Sequence, residues 1–165
     1  MEKGAITESY GLDPQSSIDV LQSALATEIV CVLRYTAHAV AAVGINSSEV
    51  KAEFLEHAND EREHMQQIAE RINELGGKPD MNPDGLATRS HSQYSDPDEL
   101  VEMIKENLVA ERIAVETYTE MIRYFGERDV TSRVMLEGIL AKEEEHASDM
   151  HDLLVAREGR PMLAR

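Results

Sequence analysis

The chain has 165 residues, 16 Lys and Arg against 32 Asp and Glu, a formal net charge of −16, one cysteine and no tryptophan. The length suits a single domain over 1–165 with one buried core. One cysteine excludes a disulfide framework and points to a reducing, cytoplasmic compartment, and the acidic surplus argues against binding DNA or an anionic membrane while it suits the attraction of cations.

The first residues, "MEKGAITESYGL", carry no apolar h-region, so no signal peptide is expected. No apolar run approaches the ~18 residues of a membrane span, so no membrane partner is expected either. Asp13-Pro14 is a cap-then-proline helix start. An apolar helical period follows and predicts a helix over about 14–43. "INSS" at 45–48 reads as a short turn, with Ser47 or Ser48 capping a second helix over about 48–75 that Gly76-Gly77 ends. Residues 76–96 are rich in Pro and Gly, lack any period, and read as a connection. Asp96-Pro97 repeats the cap-proline device and starts a third helix over about 97–125, which Gly126 ends. Asp129 caps a fourth helix over about 129–158, Gly159 stops it, and flexible tails are expected at both ends.

Helices of about 28 residues are ~42 Å long. The short links make the first pair and the second pair antiparallel neighbours. A connection of 21 residues reaches ~65 Å when extended, enough to return along a helix and leave the second and third helices parallel. The expected architecture is all-α: a four-helix bundle of two antiparallel pairs joined by one long crossover.

The two halves carry the same pattern. Leu21, Leu25, Glu28, Val32, Tyr35 and Ala39 form a stripe with steps of 4, 3, 4, 3, 4, and Ile104, Leu108, Glu111, Val115, Tyr118 and Ile122 repeat those steps. The second helix presents Phe54, His57, Glu61, His64 and Ile68; the fourth presents Leu136, Ile139, Glu143, His146 and Met150. Glu28 lies about 15 residues before the end of its helix and Glu61 about 13 after the start of the next, and Glu111 and Glu143 are placed alike. All four carboxylates therefore meet at mid-bundle, joined by His64 and His146, because Glu and His at i, i+3 share a face. Four unpaired carboxylates in a dry core would be very unfavourable. Two divalent cations cancel their charge, and four carboxylates with two imidazoles suit a pair of iron or manganese ions. The general association of one Glu from each of two helices and Glu-x-x-His from the other two with di-metal bundles is a known one.

The stretches "EIVCVLRYTAHA", "DEREH", "LVAERIAVETYTEMI" and "KEEEH" resemble the four helices of bacterioferritin and its Dps-like relatives, from about residue 16 to 157. The resemblance implies a ferritin-like bundle with a di-iron ferroxidase centre, in a hollow homo-oligomeric shell of 12 or 24 subunits. It implies oxidation of Fe(II) to Fe(III) by O2 or H2O2 and storage as a ferric mineral. Two Fe per chain, with Mn or Zn as replacements, would be held by Glu28, Glu61, His64, Glu111, Glu143 and His146, one Glu of each half bridging them. Tyr35 matches a family position beside the centre and joins the six as a catalytic candidate. Two departures bear on this. Arg62 follows the second-helix Glu where haem-holding relatives have Met, so no haem is expected, and too little chain follows the fourth helix for the family's short fifth one, which admits 12 subunits. Only Lys3 is basic before residue 34, so a DNA-binding basic arm is not expected.

The competing enzyme is a rubrerythrin-like di-iron peroxidase that keeps its metals. That family adds a Glu where Ala114 stands and commonly carries a four-Cys iron site, against one cysteine here. A DNA-compacting shell without chemistry is the third reading, and the acidic charge opposes it. Tyr118 reads as a core residue in need of a partner, or as a group orienting a ligand carboxylate. Cys31 reads as core filler. His57, one turn from Glu61, reads as a group behind the ligands, a metal transit site or a plain polar partner.

Overall fold

A computed structural model describes residues 4, 6–44 and 47–158. Among them regular structure is wholly helical: α1 (Pro14–Ala41), α2 (Ser48–Glu74), α3 (Leu86–Arg89), α4 (Leu100–Phe125) and α5 (Val130–Glu158). The four long helices form the expected bundle, and α3 is one turn within the crossover. Part of the turn expected at 45–48, the Gly159 stop and the tail after it lie outside the described residues.

The local signals act as capping chemistry predicts. The Asp13 carboxylate accepts the Ser16 N–H at 2.8 Å, with Pro14 in the first turn. Asp129 accepts the Ser132 N–H at 2.9 Å ahead of α5. At the end of α2, Gly76 takes φ +85° and the N–H groups of Gly76 and Gly77 reach the carbonyls of Asn73 (3.0 Å) and Ile72 (2.9 Å), the paired bonds of a glycine-terminated helix. A Cβ on Gly77 would come within 3.0 Å of methyl groups of Ile18 and Ile72, so only Gly lets this turn lie against the start of α1. Ser47 makes no side-chain cap to α2; its hydroxyl donates to the Gly44 carbonyl instead.

Cross-helix pairs give the directions. From His38 to Tyr35 to Glu28 along α1, the α4 partners run Asn107, Glu111, Tyr118, so α1 and α4 are antiparallel. Tyr35 meets His57 and Glu28 meets His64, so α1 and α2 are antiparallel. His57, Asp60, His64 and Arg71 meet Asp149, His146, Glu143 and Ser132, so α2 and α5 are antiparallel as well. Helices α2 and α4 are therefore parallel. Two apolar clusters lie above and below the bundle's waist. One centres on Leu21, Leu25, Ile72, Phe125 and Leu136, the other on Phe54, Met103, Ile104 and Met150, each side chain essentially solvent-free. Burial at this level stabilises the fold by roughly 1.5–3 kcal/mol per large apolar side chain, which fixes the level at which the polar residues between the clusters meet.

Four expectations change. The third long helix begins at Leu100 rather than at Pro97, with no side-chain cap from Glu99. The cause is Arg34, fully buried, which donates to Asn107 Oδ1 (2.8 Å), Ser92 Oγ (2.6 Å) and the Gln93 carbonyl (3.0 Å), while His38 Nε2 contacts the Ser95 carbonyl at 2.8 Å. These bonds hold residues 92–95 in non-helical backbone along α1 and delay the helix beyond its proline. The connection, read as wholly irregular, gains α3, whose Leu86 is buried beside Ala26 and Val30. The N-terminal segment, read as a flexible tail, is docked over its described part: Ile6, Tyr10 and Leu12 pack on the core, and the Tyr10 hydroxyl donates to Asp129 Oδ2 at 2.9 Å. Finally, α1 is long and apolar enough to cross a membrane by composition, contrary to the sequence expectation. Its apolar face, however, is the one the bundle buries, and Glu28 and Arg34 lie in it.

Candidate metal centre

Helix period and matched height bring all six predicted side chains to the waist. Glu28, Glu61, His64, Glu111, Glu143 and His146 are each at most 4% exposed. Their donor atoms fall into two groups, Glu28–Glu61–His64–Glu143 and Glu61–Glu111–Glu143–His146, and within each all atoms lie within 4.8 Å of one another. His64 Nδ1 is 3.0 Å from Glu143, 3.2 Å from Glu61 and 3.5 Å from Glu28. His146 Nδ1 is 3.7 Å from Glu61 and 4.0 Å from Glu111. Donors sharing one first-row cation at bond lengths near 2.1 Å stand ~3–4 Å apart, so the spacing is that of two ligand sets. Glu61 and Glu143 belong to both, one from each half.

Buried atoms of this cluster lack partners. Glu28 Oε2, Glu61 Oε1, Glu111 Oε2, Glu143 Oε1 and His146 Nδ1 are fully enclosed without a hydrogen bond. Native interiors rarely tolerate one such group, and here five converge. Oxygen and imidazole lone pairs facing inward are the donor set of a divalent pair, so the residues fit two cations. Without cations the cluster must hold protons. Burial first, and then the charge of Glu61, raises Glu28 to about 8. Burial and the charges of Glu61, Glu111 and Glu28 push Glu143 well above the usual carboxylate range, and burial with Glu61 raises Glu111. Glu61 alone goes well below it, because the facing imidazoles of His146 and His64 outweigh its burial. Both imidazoles are desolvated, which alone would lower them. The facing carboxylates of Glu28 and Glu61 nevertheless lift His64 to about 10, and that of Glu61 lifts His146 to about 9.

The tyrosines are exchanged between halves. The Tyr35 hydroxyl donates to Glu111 and the Tyr118 hydroxyl donates to Glu28, so each half's phenol orients the other half's carboxylate. Burial keeps both phenols far above their ordinary range, hence neutral donors. Tyr35 thus lies beside the cluster, as expected, and Tyr118 has an equal place. Sequence reasoning missed Asp60, whose Oδ2 is 3.1 Å from His146 Nε2 and fixes that ring with Nδ1 inward. A carboxylate directly before Glu61 was the available signal, but charge is common on these helices. Cys31 is buried, with Arg34 Nη2 at 3.5 Å from its sulfur. His91 and His151 are exposed and apart from the cluster, and Arg62 is exposed and bonded to Asn59.

Residues 18–158 match the family model described as the ferritin-like domain. Among curated proteins, the chain is 29% identical to the DNA protection during starvation protein of Pyrococcus furiosus, over 94% of this chain and 89% of that one. It is 27% identical to the bacterioferritin of Desulfovibrio desulfuricans, over 78% and 69%. Among solved structures it aligns with the bacterioferritin-related protein of Bacteroides fragilis, described as a dodecameric thioferritin. That alignment has 35% identity and a TM-score of 0.85, over 93% of this chain and 94% of that one.

Proposed function

On the premise that the chain belongs to the ferritin-like domain family, we propose that it is a ferroxidase that oxidises Fe(II) and stores the product. Glu28 and His64 hold one Fe(II), Glu111 and His146 the other, and Glu61 and Glu143 bridge them. The observation that carries this reading is the convergence of five enclosed, partnerless lone-pair atoms between four helices. Each Fe(II) gives up one electron. The pair reduces one H2O2, with two protons, to two waters, or one O2, with two protons, to H2O2. Hard anionic oxygens favour Fe(III) over Fe(II), which supplies the driving force.

The chain's own residues set the conditions. Tyr35 and Tyr118 hold Glu111 and Glu28 in place. Asp60 keeps the outer nitrogen of His146 occupied, so that its inner nitrogen faces the metal. The apolar clusters above and below the waist exclude water from it. The product Fe(III) passes to a mineral core inside a shell of identical cytoplasmic subunits. Twelve is the count supported by the dodecameric relative, which matches over nearly the whole of both chains.

Aerobic addition of Fe(II), with ferric absorbance and particle mass followed together, tests the proposal. Uptake of hundreds of irons per shell is the expected result. Saturation at two or three per chain would leave a rubrerythrin-like peroxidase that keeps its metals, and absence of oxidation both with O2 and with added H2O2 would refute both.

A further inference from the structure

The two halves match at every proposed ligand, yet they differ one turn before the second-helix pair. The offset that places Glu61 on Glu143 and His64 on His146 places His57 on Ile139. Ile139 is 1% exposed and simply fills its place in the apolar cluster. The fold therefore has no packing need for an imidazole at position 57, where the side chain is also 1% exposed.

The bonds of His57 define its proton. Its ring stacks on His146 with centroids 3.8 Å apart. Its Nδ1 is 3.1 Å from the Tyr35 hydroxyl. That hydroxyl spends its only proton on Glu111, so His57 Nδ1 must be the donor in this pair and Nε2 carries a bare lone pair. Nε2 is enclosed and has no hydrogen-bond partner. It points at Glu53 Oε1, 3.2 Å away, and at Asp149 Oδ2, 3.4 Å away. Three potential ligand atoms thus face one another, and all lie within 4.8 Å of one another. Donors that share a first-row cation in adjacent positions at ~2.1 Å stand about 3 Å apart.

We propose that Glu53, His57 and Asp149 form a third divalent-cation site, separate from the central pair. One imidazole and two carboxylates suit Fe(II), Mn(II), Co(II) or Zn(II) over Ca(II) or Mg(II), which take all-oxygen sets. The carboxylates are partly exposed, 29% and 39%, and border a surface pocket of about 210 Å³ that Glu49 and Asp152 also line. A cation arriving from this acidic pocket meets Glu53 and Asp149 first. The imidazole that holds it is stacked on His146, so the site is a station between solvent and the waist. The second half has no counterpart, since Ile139, Met135 and Gln67 occupy the matching positions. The hydrogen-bond chain from Glu111 through Tyr35 to His57 orients the lone pair outward only here.

The test soaks crystals of the native protein and of the E53Q/D149N variant in Zn(II) and records anomalous differences at the zinc edge. A Zn(II) titration in solution runs beside it. The native protein is expected to show a peak bounded by Glu53, His57 and Asp149 and a stoichiometry of three per chain. The variant is expected to lose that peak, keep the central ones and fall to two. A native map with central peaks and none at this site overturns the inference and leaves the central reading intact, and so does a variant that keeps the third peak. A peak at this site without central ones supports it and refutes the central reading instead. Amide replacements of two partly exposed carboxylates leave the fold undisturbed, which far-UV circular dichroism checks.

Discussion

Removing the metals and raising the pH is expected to weaken the fold, and adding Zn(II) to reverse the trend. Glu28 rises from 4.5 to about 8 in the metal-free fold because burial, and then Glu61, disfavour its charge. A carboxyl raised in this way binds its proton more tightly folded than unfolded. Its stabilisation is complete below pH 4.5 and is lost as pH climbs through about 8. At about 1.4 kcal/mol per pH unit, Glu28 alone withdraws on the order of 5 kcal/mol across that interval. His64 and His146 act with the same sign at higher pH: their contribution is full below 6.5 and lost through about 10 and about 9. Glu143 and Glu111 add to the slope. Glu61, shifted the other way, acts only below 4.5. Cations take the place of these protons, so Zn(II) must stabilise more at pH 8 than at pH 5. Thermal unfolding of EDTA-treated and Zn(II)-loaded protein between pH 5 and 8 measures both slopes. The E28Q/E143Q variant separates the cluster from the general acidity of the chain and should flatten the metal-free slope. A metal-free melting temperature that holds steady or rises over this range would refute the reasoning.

Three further outcomes follow from named contacts. Glu28→Ala should slow Fe(II) oxidation by more than about tenfold while assembly persists, because outer partners alone already shift metal affinity 10–100-fold; unchanged stopped-flow kinetics would count against Glu28 as a ligand. Asp60→Asn should weaken Zn(II) binding at the centre by about 10–100-fold without loss of secondary structure, since the His146 ring loses the carboxylate that orients it. Arg71→Ala should destabilise the fold by roughly 3–5 kcal/mol, because the buried Asp129 keeps its charge and loses the guanidinium 3.0 Å away; a melting temperature within a degree of the parent would show that the pair is dispensable.

The six cluster residues were legible in the sequence because helical geometry makes spacing equivalent to position. An i, i+3 pair shares a face, and equal distances from a turn place residues on paired helices at one height. The residues around them escaped for the complementary reason, that their roles arise between elements. Asp60 precedes Glu61, so it is turned by ~100° around the helix and reads as a surface charge until α5 brings His146 to it. Arg34 looks like an exposed charge at the edge of a stripe, yet its partners Ser92 and Asn107 come from the crossover and from α4. The start of α4 was misplaced for the same reason, since a local Asp-Pro signal was overridden by tertiary bonds to residues 92 and 93. The single turn α3 is too short for any period to show.

The internal repeat also explains why the tyrosines recur. Glu28 and Glu111 each need a donor on their outer oxygen if the inner one is to face the cluster, and neither helix can supply it from its own turn. Antiparallel packing of α1 on α4 brings a residue seven positions after one Glu opposite the other, so a single Glu-x6-Tyr spacing used twice satisfies both. Each half then depends on its copy: alone, either pair of helices would bury a carboxylate without its phenol. Only the α2 side adds His57 beyond Tyr35, so the hydrogen-bond chain stops at Tyr118 in one direction and reaches His57 in the other, whose Nε2 faces Glu53 and Asp149. A near-symmetric cluster with one extended arm has a preferred side for cation entry, and the side is set by the one position where the repeat exchanges isoleucine for histidine.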